Sequence, residues 1–124
     1  MYLLDTNAVI DYCNDKLPIA AANFIETIEP KISVITAIEL FAFAAITKTE
    51  QQKLEEFIDF ITIYDNISLN IRTHTVNIRK VYRLKLPDAL IAATSLAYGL
   101  ILISRNIKDF ENISGLQVID PYNL

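Results

Sequence analysis

Five short apolar runs, Tyr2-Leu3-Leu4, Ile32-Ser33-Val34-Ile35, Ile61-Thr62-Ile63-Tyr64, Leu100-Ile101-Leu102-Ile103 and Leu116-Gln117-Val118-Ile119, are separated by segments with helical periodicity. Strands that alternate with helices pair in parallel through crossovers, so this order points to an α/β fold. The intervening segments carry their own start and stop signals. Asp5-Thr6-Asn7 opens a helix continued by Ala8, Val9, Ile10 and Tyr12; Pro18 opens a second through Ile28, and Pro30 stops it. Thr36 is the expected N-cap of a helix through about Ile46, and Glu50 to Ile61 repeats the helical period, which predicts an αα-hairpin. Ile71 to Leu84 reads as a helix of mixed apolar and basic character. Pro87 opens another through Tyr98, Gly99 terminates it, and Asn106 to Phe110 is one helical turn.

A chain of 124 residues fits one domain, here residues 1–124, with neither a repeat nor a linker in it. Hydrophobic residues make up 52% and mean hydropathy is +0.31, which implies a generous core, an apolar surface kept for a partner, or both. No apolar stretch approaches the ~18 residues of a membrane span, and no signal-like segment precedes Asp5, so a cytoplasmic location is expected. Cys13 is the only cysteine and His74 the only histidine, which excludes an internal disulfide and a Cys/His zinc cluster. With two glycines, Gly99 and Gly115, the chain also lacks a glycine-rich phosphate loop.

Against that background the acids are informative. Asp5, Glu39, Asp88 and Asp109 each follow an apolar run or open a helix, and the carboxyl ends of parallel strands all emerge at one edge of a sheet. Each has an ordinary reading as a helix N-terminal acid: Asp5 as a cap, Thr36 to Glu39 as a capping box, Asp88 after Pro87, and Asp109 three residues after Asn106. Capping does not require an acid at every such junction, whereas a hard divalent cation with oxygen ligands accounts for all four together. The pattern predicts a metal-dependent phosphodiesterase, specifically a ribonuclease. Thr6, Asn7 and Ser104 are the expected supporting groups, orienting Asp5 or a bound water by hydrogen bonds. Asp65 is a reserve candidate, and Asp11, with Asp15, Glu55, Glu56 and Asp59, suits a solvated helical face.

Net charge is −4, which argues against a nucleic-acid partner, but the charge is unevenly distributed. Residues 1–71 carry −7 and residues 72–124 carry +3, so cations bound at the acids would leave a basic C-terminal portion facing phosphates. Arg105 and Lys108 beside Asp109, and Arg79, Lys80 and Arg83 on the preceding helix, are the candidate RNA contacts.

Leu3-Leu4-Asp5-Thr6-Asn7, Glu39 after a strand, Leu86-Pro87-Asp88-Ala89-Leu90-Ile91-Ala92-Ala93 and Ser104-Arg105-Asn106-Ile107-Lys108-Asp109-Phe110 resemble, in order and spacing, the PIN-domain family. The similarity spans almost the whole chain and is nearest to the VapC-type toxins, whose closing segment Gly115 to Pro121 also resembles. The resemblance implies a three-layer α/β/α sandwich around a five-stranded parallel sheet, Mg²⁺ or Mn²⁺ as cofactor, and endonucleolytic cleavage of RNA. It further implies a VapB-like antitoxin as partner and a homodimer. Asp5, Glu39, Asp88 and Asp109 fall on the family's acidic positions, and Ser104 stands where a threonine is often found.

Water activated by metal, rather than attack by the ribose 2′-OH, predicts products with 5′-phosphate and 3′-hydroxyl ends. Two other classes compete. A purely protein-binding module of the same fold is suggested by the broadly apolar stretch Leu40 to Ile46, which equally suits an antitoxin groove or a dimer surface. A phosphoacceptor receiver domain expects an adjacent acidic pair after the first strand, and Asp5-Thr6 lacks one.

Overall fold

All five apolar runs contribute strands, each of only two or three residues: β1 (Tyr2–Leu4), β2 (Lys31–Ser33), β3 (Thr62–Tyr64), β4 (Ile101–Ile103) and β5 (Val118–Ile119). In the computed structural model, which describes residues 1–42 and 47–124, they form one parallel sheet in the order β3-β2-β1-β4-β5. The chain therefore steps outward from β1 to β3, then returns to lay β4 on the other side of β1. That reversal between β1 and β4 is the topological switch point, where a crevice opens beyond the carboxyl ends of the strands.

β1, β4 and β5 are apolar throughout because helices cover both faces, whereas β2 and β3, toward the other edge, include Lys31, Ser33 and Thr62. Successive strand residues point to opposite sides. Leu3 and Leu102 join a core with Ile71, Ile78, Ile91 and Phe110 on one side; Leu4, Ile32 and Ile103 join Val9, Ile25, Leu40 and Leu54 on the other. The first core lies beneath α5 (Leu69–Val81), α6 (Leu86–Tyr98) and α7 (Ile107–Phe110). The second lies beneath α1 (Thr6–Cys13), α2 (Ile19–Ile28), α3 (Val34–Ala42) and α4 (Lys48–Phe60). The result is the expected α/β/α sandwich. Burying one Leu or Ile side chain fully contributes about 1.5–3 kcal/mol, so a one-residue slip of β1, which would exchange Leu3 and Leu4 between cores of different shape, is disfavoured.

Helix boundaries follow local chemistry. Asp5 Oδ1 accepts the Ala8 N–H at 2.8 Å, Thr47 Oγ1 accepts that of Glu50 at 3.1 Å, and Ser68 Oγ that of Ile71 at 3.2 Å. Gly99 ends α6 at φ +65°, a left-handed conformation that favours glycine, and its N–H bonds the Leu96 carbonyl.

One boundary departs from expectation. The second strand stops at Ser33 instead of Ile35, and Thr36 lies within α3 instead of capping it. The Ser33 hydroxyl accepts the Thr36 N–H at 3.1 Å, so the serine performs the capping assigned to the threonine. Glu39 is accordingly a turn further into the helix than a capping box would place it. The connection of the expected αα-hairpin and the end of its first helix, residues 43–46, lie outside the described residues; α3 and α4 both pack against α1.

Candidate active site

Asp5 leaves β1 at the switch point. Its backbone N–H bonds the Ile103 carbonyl of β4 at 3.1 Å, and the next residue along β4, Ser104, is anchored by its own N–H to the Ile119 carbonyl at 3.0 Å. Asp5 and Ser104 thus sit side by side at the ends of paired strands, 6% and 0% exposed. Burial raises the Asp5 carboxyl to about 6 from its ordinary 3.8; the neighbouring Ser104 hydroxyl and the Ala8 N–H oppose the rise, and Asp88 and Asp11 reinforce it.

The other three acids converge on the same edge. Asp88, in the first turn of α6, is half-buried, and its carboxyl is raised by desolvation first, then by Glu39 and Asp109, with Lys85 opposing. Asp88 thus feels the charge of Glu39 and Asp109 and is itself felt by Asp5, a disposition of like charges that a divalent cation would relieve. Neither of the two ion pairs among the described residues, Lys53–Asp15 and Arg105–Asp11, involves any of the four.

Hydroxyls and an amide hold the acids in place. Thr6 donates to Glu39 Oε1 at 2.6 Å, and the Thr36 hydroxyl lies 3.2 Å from Thr6 Oγ1. A hydroxyl has one proton, so with the Thr6 proton on Glu39 the Thr36 hydroxyl is left to donate to the Thr6 oxygen. Thr6 hence orients Glu39, a partner not among those expected for it, Asp5 or a bound water. Asn106 Nδ2 donates to Asp109 Oδ2 at 2.7 Å, and the Asn106 N–H bonds Ser104 Oγ at 3.0 Å, which ties the turn carrying Asp109 to the end of β4. Asn7 is exposed on the first turn of α1.

The donor set is all oxygen, which suits Mg²⁺ or Mn²⁺ over zinc. As the side chains stand, no group of three or more Asp, Glu, His or Cys among the described residues is arranged to share one ion. Thr6 engages one oxygen of Glu39, Asn106 one oxygen of Asp109, and the Ala8 N–H one oxygen of Asp5, which leaves the second oxygen of each carboxylate free of these bonds.

The basic residues are all exposed: Arg79 and Lys80 in the last turn of α5, Arg83 just beyond it, Arg105 after β4, and Lys108 in α7. Arg79 and Lys80 line a shallow depression with Leu86, two residues before Asp88. Asp65 is exposed past the edge strand β3, two strands from β1, and is no part of the cluster. Asp11 was expected on a solvated face. It is instead 13% exposed, paired with Arg105 and hydrogen-bonded by Tyr122 at 2.7 Å, partners too remote in sequence for any periodicity to reveal. Lys85 is a further contributor the sequence did not single out, and Thr36, expected only as a cap, is another. A cavity of about 710 Å³ lined by Tyr12, Phe57, Phe60 and Ile61 lies by the start of β3, at the amino edge of the sheet and away from the acids.

Comparison with known proteins agrees with this architecture. Residues 2–116 match the PIN domain family. A toxin–antitoxin complex from Klebsiella pneumoniae contains a chain 36% identical, with 98% of each chain covered and a TM-score of 0.78. DNA-bound VapBC from Salmonella typhimurium (26% identity, 97% of each chain, TM-score 0.82) is similarly related. So is VapBC2 from Rickettsia felis bound to a promoter DNA fragment (25% identity, 95% of this chain and 96% of that one, TM-score 0.82). No curated protein matches the chain. With a parallel sheet ordered β3-β2-β1-β4-β5 and these relatives, the chain belongs to the PIN-domain family, among its VapC-type members.

Proposed function

We propose that this chain is a divalent-cation-dependent endoribonuclease, the toxin of a toxin–antitoxin pair, acting in the cytoplasm as a single domain over residues 1–124. The observation that supports the reading is that neighbouring acids raise one another's carboxyls, Asp88 that of Asp5 and Glu39 with Asp109 that of Asp88, without a cationic side chain paired to any of the four among the described residues. Asp5, raised by burial and by Asp88, and Asp88, raised by burial and by Glu39 and Asp109, are the groups whose charge a cation would relieve most, with Glu39 and Asp109 completing the set. When bound, Mg²⁺ or Mn²⁺ would supply a water of lowered pKa and charge stabilisation at the phosphodiester.

The chain's own residues do the rest. Thr6 and Thr36 fix the Glu39 carboxylate, Ser104 holds Asp5 and, through Asn106, the turn bearing Asp109. The exposed cations Arg105, Lys108, Arg79, Lys80 and Arg83 give an extended strand its phosphate contacts, and the open edge suits a polymer. Asn7, exposed two residues after Asp5, would orient substrate or water.

The partners in the related complexes support a VapB-like antitoxin for this chain too. On α3, Ile38 and Phe41 flank Glu39 and are 58% and 55% exposed, an apolar surface for an antitoxin segment or for a homodimer. The test is cleavage of single-stranded RNA by purified protein: Mg²⁺- or Mn²⁺-dependent, chelator-sensitive, with 5′-phosphate and 3′-hydroxyl ends. Products ending in 2′,3′-cyclic phosphate, or cleavage indifferent to chelator, would contradict it. Partner binding with no metal uptake would support the non-catalytic module instead.

A further inference from the structure

Arg105, Asp11 and Tyr122 meet beside the acid cluster from three separate parts of the chain: the end of β4, the middle of α1, and the 3₁₀ turn Pro121–Asn123 beyond β5. The Arg105 guanidinium lies 5.1 Å from the Tyr122 ring centre, over its face, and 3.6 Å from Asp11 Oδ2. Tyr122 is fixed in turn: its hydroxyl donates to Asp11 Oδ2 at 2.7 Å and its N–H to Asp120 Oδ1 at 2.9 Å. Pairing of β4 with β5 sets the two arms side by side, and the residue before Arg105 is Ser104, neighbour of Asp5.

The arrangement leaves the cation largely unused. A guanidinium has five N–H donors, and one contact at 3.6 Å does not saturate them, while 62% of the Arg105 side chain remains exposed. A pair of that length whose cation is mostly exposed adds little to stability. Restricting a long side chain before an anion arrives does matter, because less conformational freedom is lost on binding. Asp11, with its Oδ2 engaged by Tyr122 and Arg105, is thereby a support and not a fifth acid of the cluster.

We infer that Tyr122 and Asp11 are positioning residues that hold Arg105 at the rim of the acid cluster, preorganised to grip a phosphate of the RNA strand. This rests on the nuclease reading above. The test is steady-state cleavage of a short single-stranded RNA in Mg²⁺ over a range of salt. Arg105→Gln raises KM about tenfold with kcat within about twofold, and lowers the salt slope of log(1/KM) by about 0.7, the loss of one phosphate contact. Tyr122→Phe keeps the ring but loses the bond to Asp11 and raises KM about twofold; Tyr122→Leu also loses the ring face and raises it about fivefold. In the Arg105→Gln background neither Tyr122 variant changes KM further, and Arg105→Lys, which keeps the charge without the planar fork, falls between wild type and Arg105→Gln.

Unfolding midpoints of the Tyr122 variants accompany the kinetics, since a purely structural role would lower stability and kcat together. Tyr122 effects that persist in the Arg105→Gln background, or that fall on kcat alone, overturn the inference. Wild-type cleavage with KM indifferent to Arg105→Gln also overturns it while leaving the nuclease reading intact. A wild-type chain that cleaves no RNA removes both.

Discussion

Replacing Asp5 by Asn makes the metal-free protein more stable, although it removes an acid central to the proposed site. The carboxyl is buried, and its pKa rises from 3.8 to about 6 on folding. Between those values the folded state keeps a proton that the unfolded chain has released, so stability falls as pH rises through this window. Above about 6 both states are ionised and the full penalty of burying the charge applies. The gap corresponds to roughly 3 kcal/mol, already net of the Ala8 and Ser104 interactions that oppose it. Asn caps a helix about as well as Asp, so its oxygen can keep the Ala8 N–H satisfied while the charge disappears. For a domain of this size the gain amounts to about 10 °C in Tm. Urea unfolding of wild type and Asp5→Asn in chelator, at pH 4 and pH 8, measures it directly. The variant is the more stable at pH 8, and the difference shrinks toward zero at pH 4. A variant no more stable than wild type at pH 8, or a difference independent of pH, would refute the reasoning.

Three further outcomes follow from the same geometry. Asp88→Asn preserves the fold but lowers RNA cleavage by at least about 100-fold, more than the loss of an outer partner, checked by circular dichroism beside the cleavage assay. Thr6→Val removes the 2.6 Å bond to Glu39 at nearly constant volume and lowers activity or metal affinity by roughly 10–100-fold, read from Mg²⁺ titrations of the rate. Gly99→Ala meets no atom within 4 Å, so its cost is confined to the left-handed backbone at φ +65°, about 1–2 kcal/mol by urea denaturation.

Much of the fold was legible because its signals are local. The run Leu100 to Ile103 after Gly99 marks β4 on its own, and Leu3 and Leu4 point into opposite cores as a strand between two helical layers requires. The boundary of α3 was misread because Ser33 and Thr36 carry the same capping chemistry three residues apart, and only packing decides between them. The placement of Asp5 was legible because it directly follows β1, whose carboxyl end opens at the switch point. The hydrogen bonds of the acids were not. Thr6 reaches Glu39 across 33 positions and Tyr122 reaches Asp11 across 111, contacts that depend on how α1 lies against α3 and against the chain's end. No spacing rule encodes such pairs, and that is why Asp11 read as a surface charge.

Mn²⁺ binding followed by electron paramagnetic resonance at pH 7.5 tests the central claim most directly, namely that Asp5, Glu39, Asp88 and Asp109 gather to hold a divalent cation. The wild-type chain should take up Mn²⁺ saturably and in competition with Mg²⁺, and folded Asp88→Asn should lose that uptake. Equal binding by the two proteins, or none by the wild type, would contradict the claim.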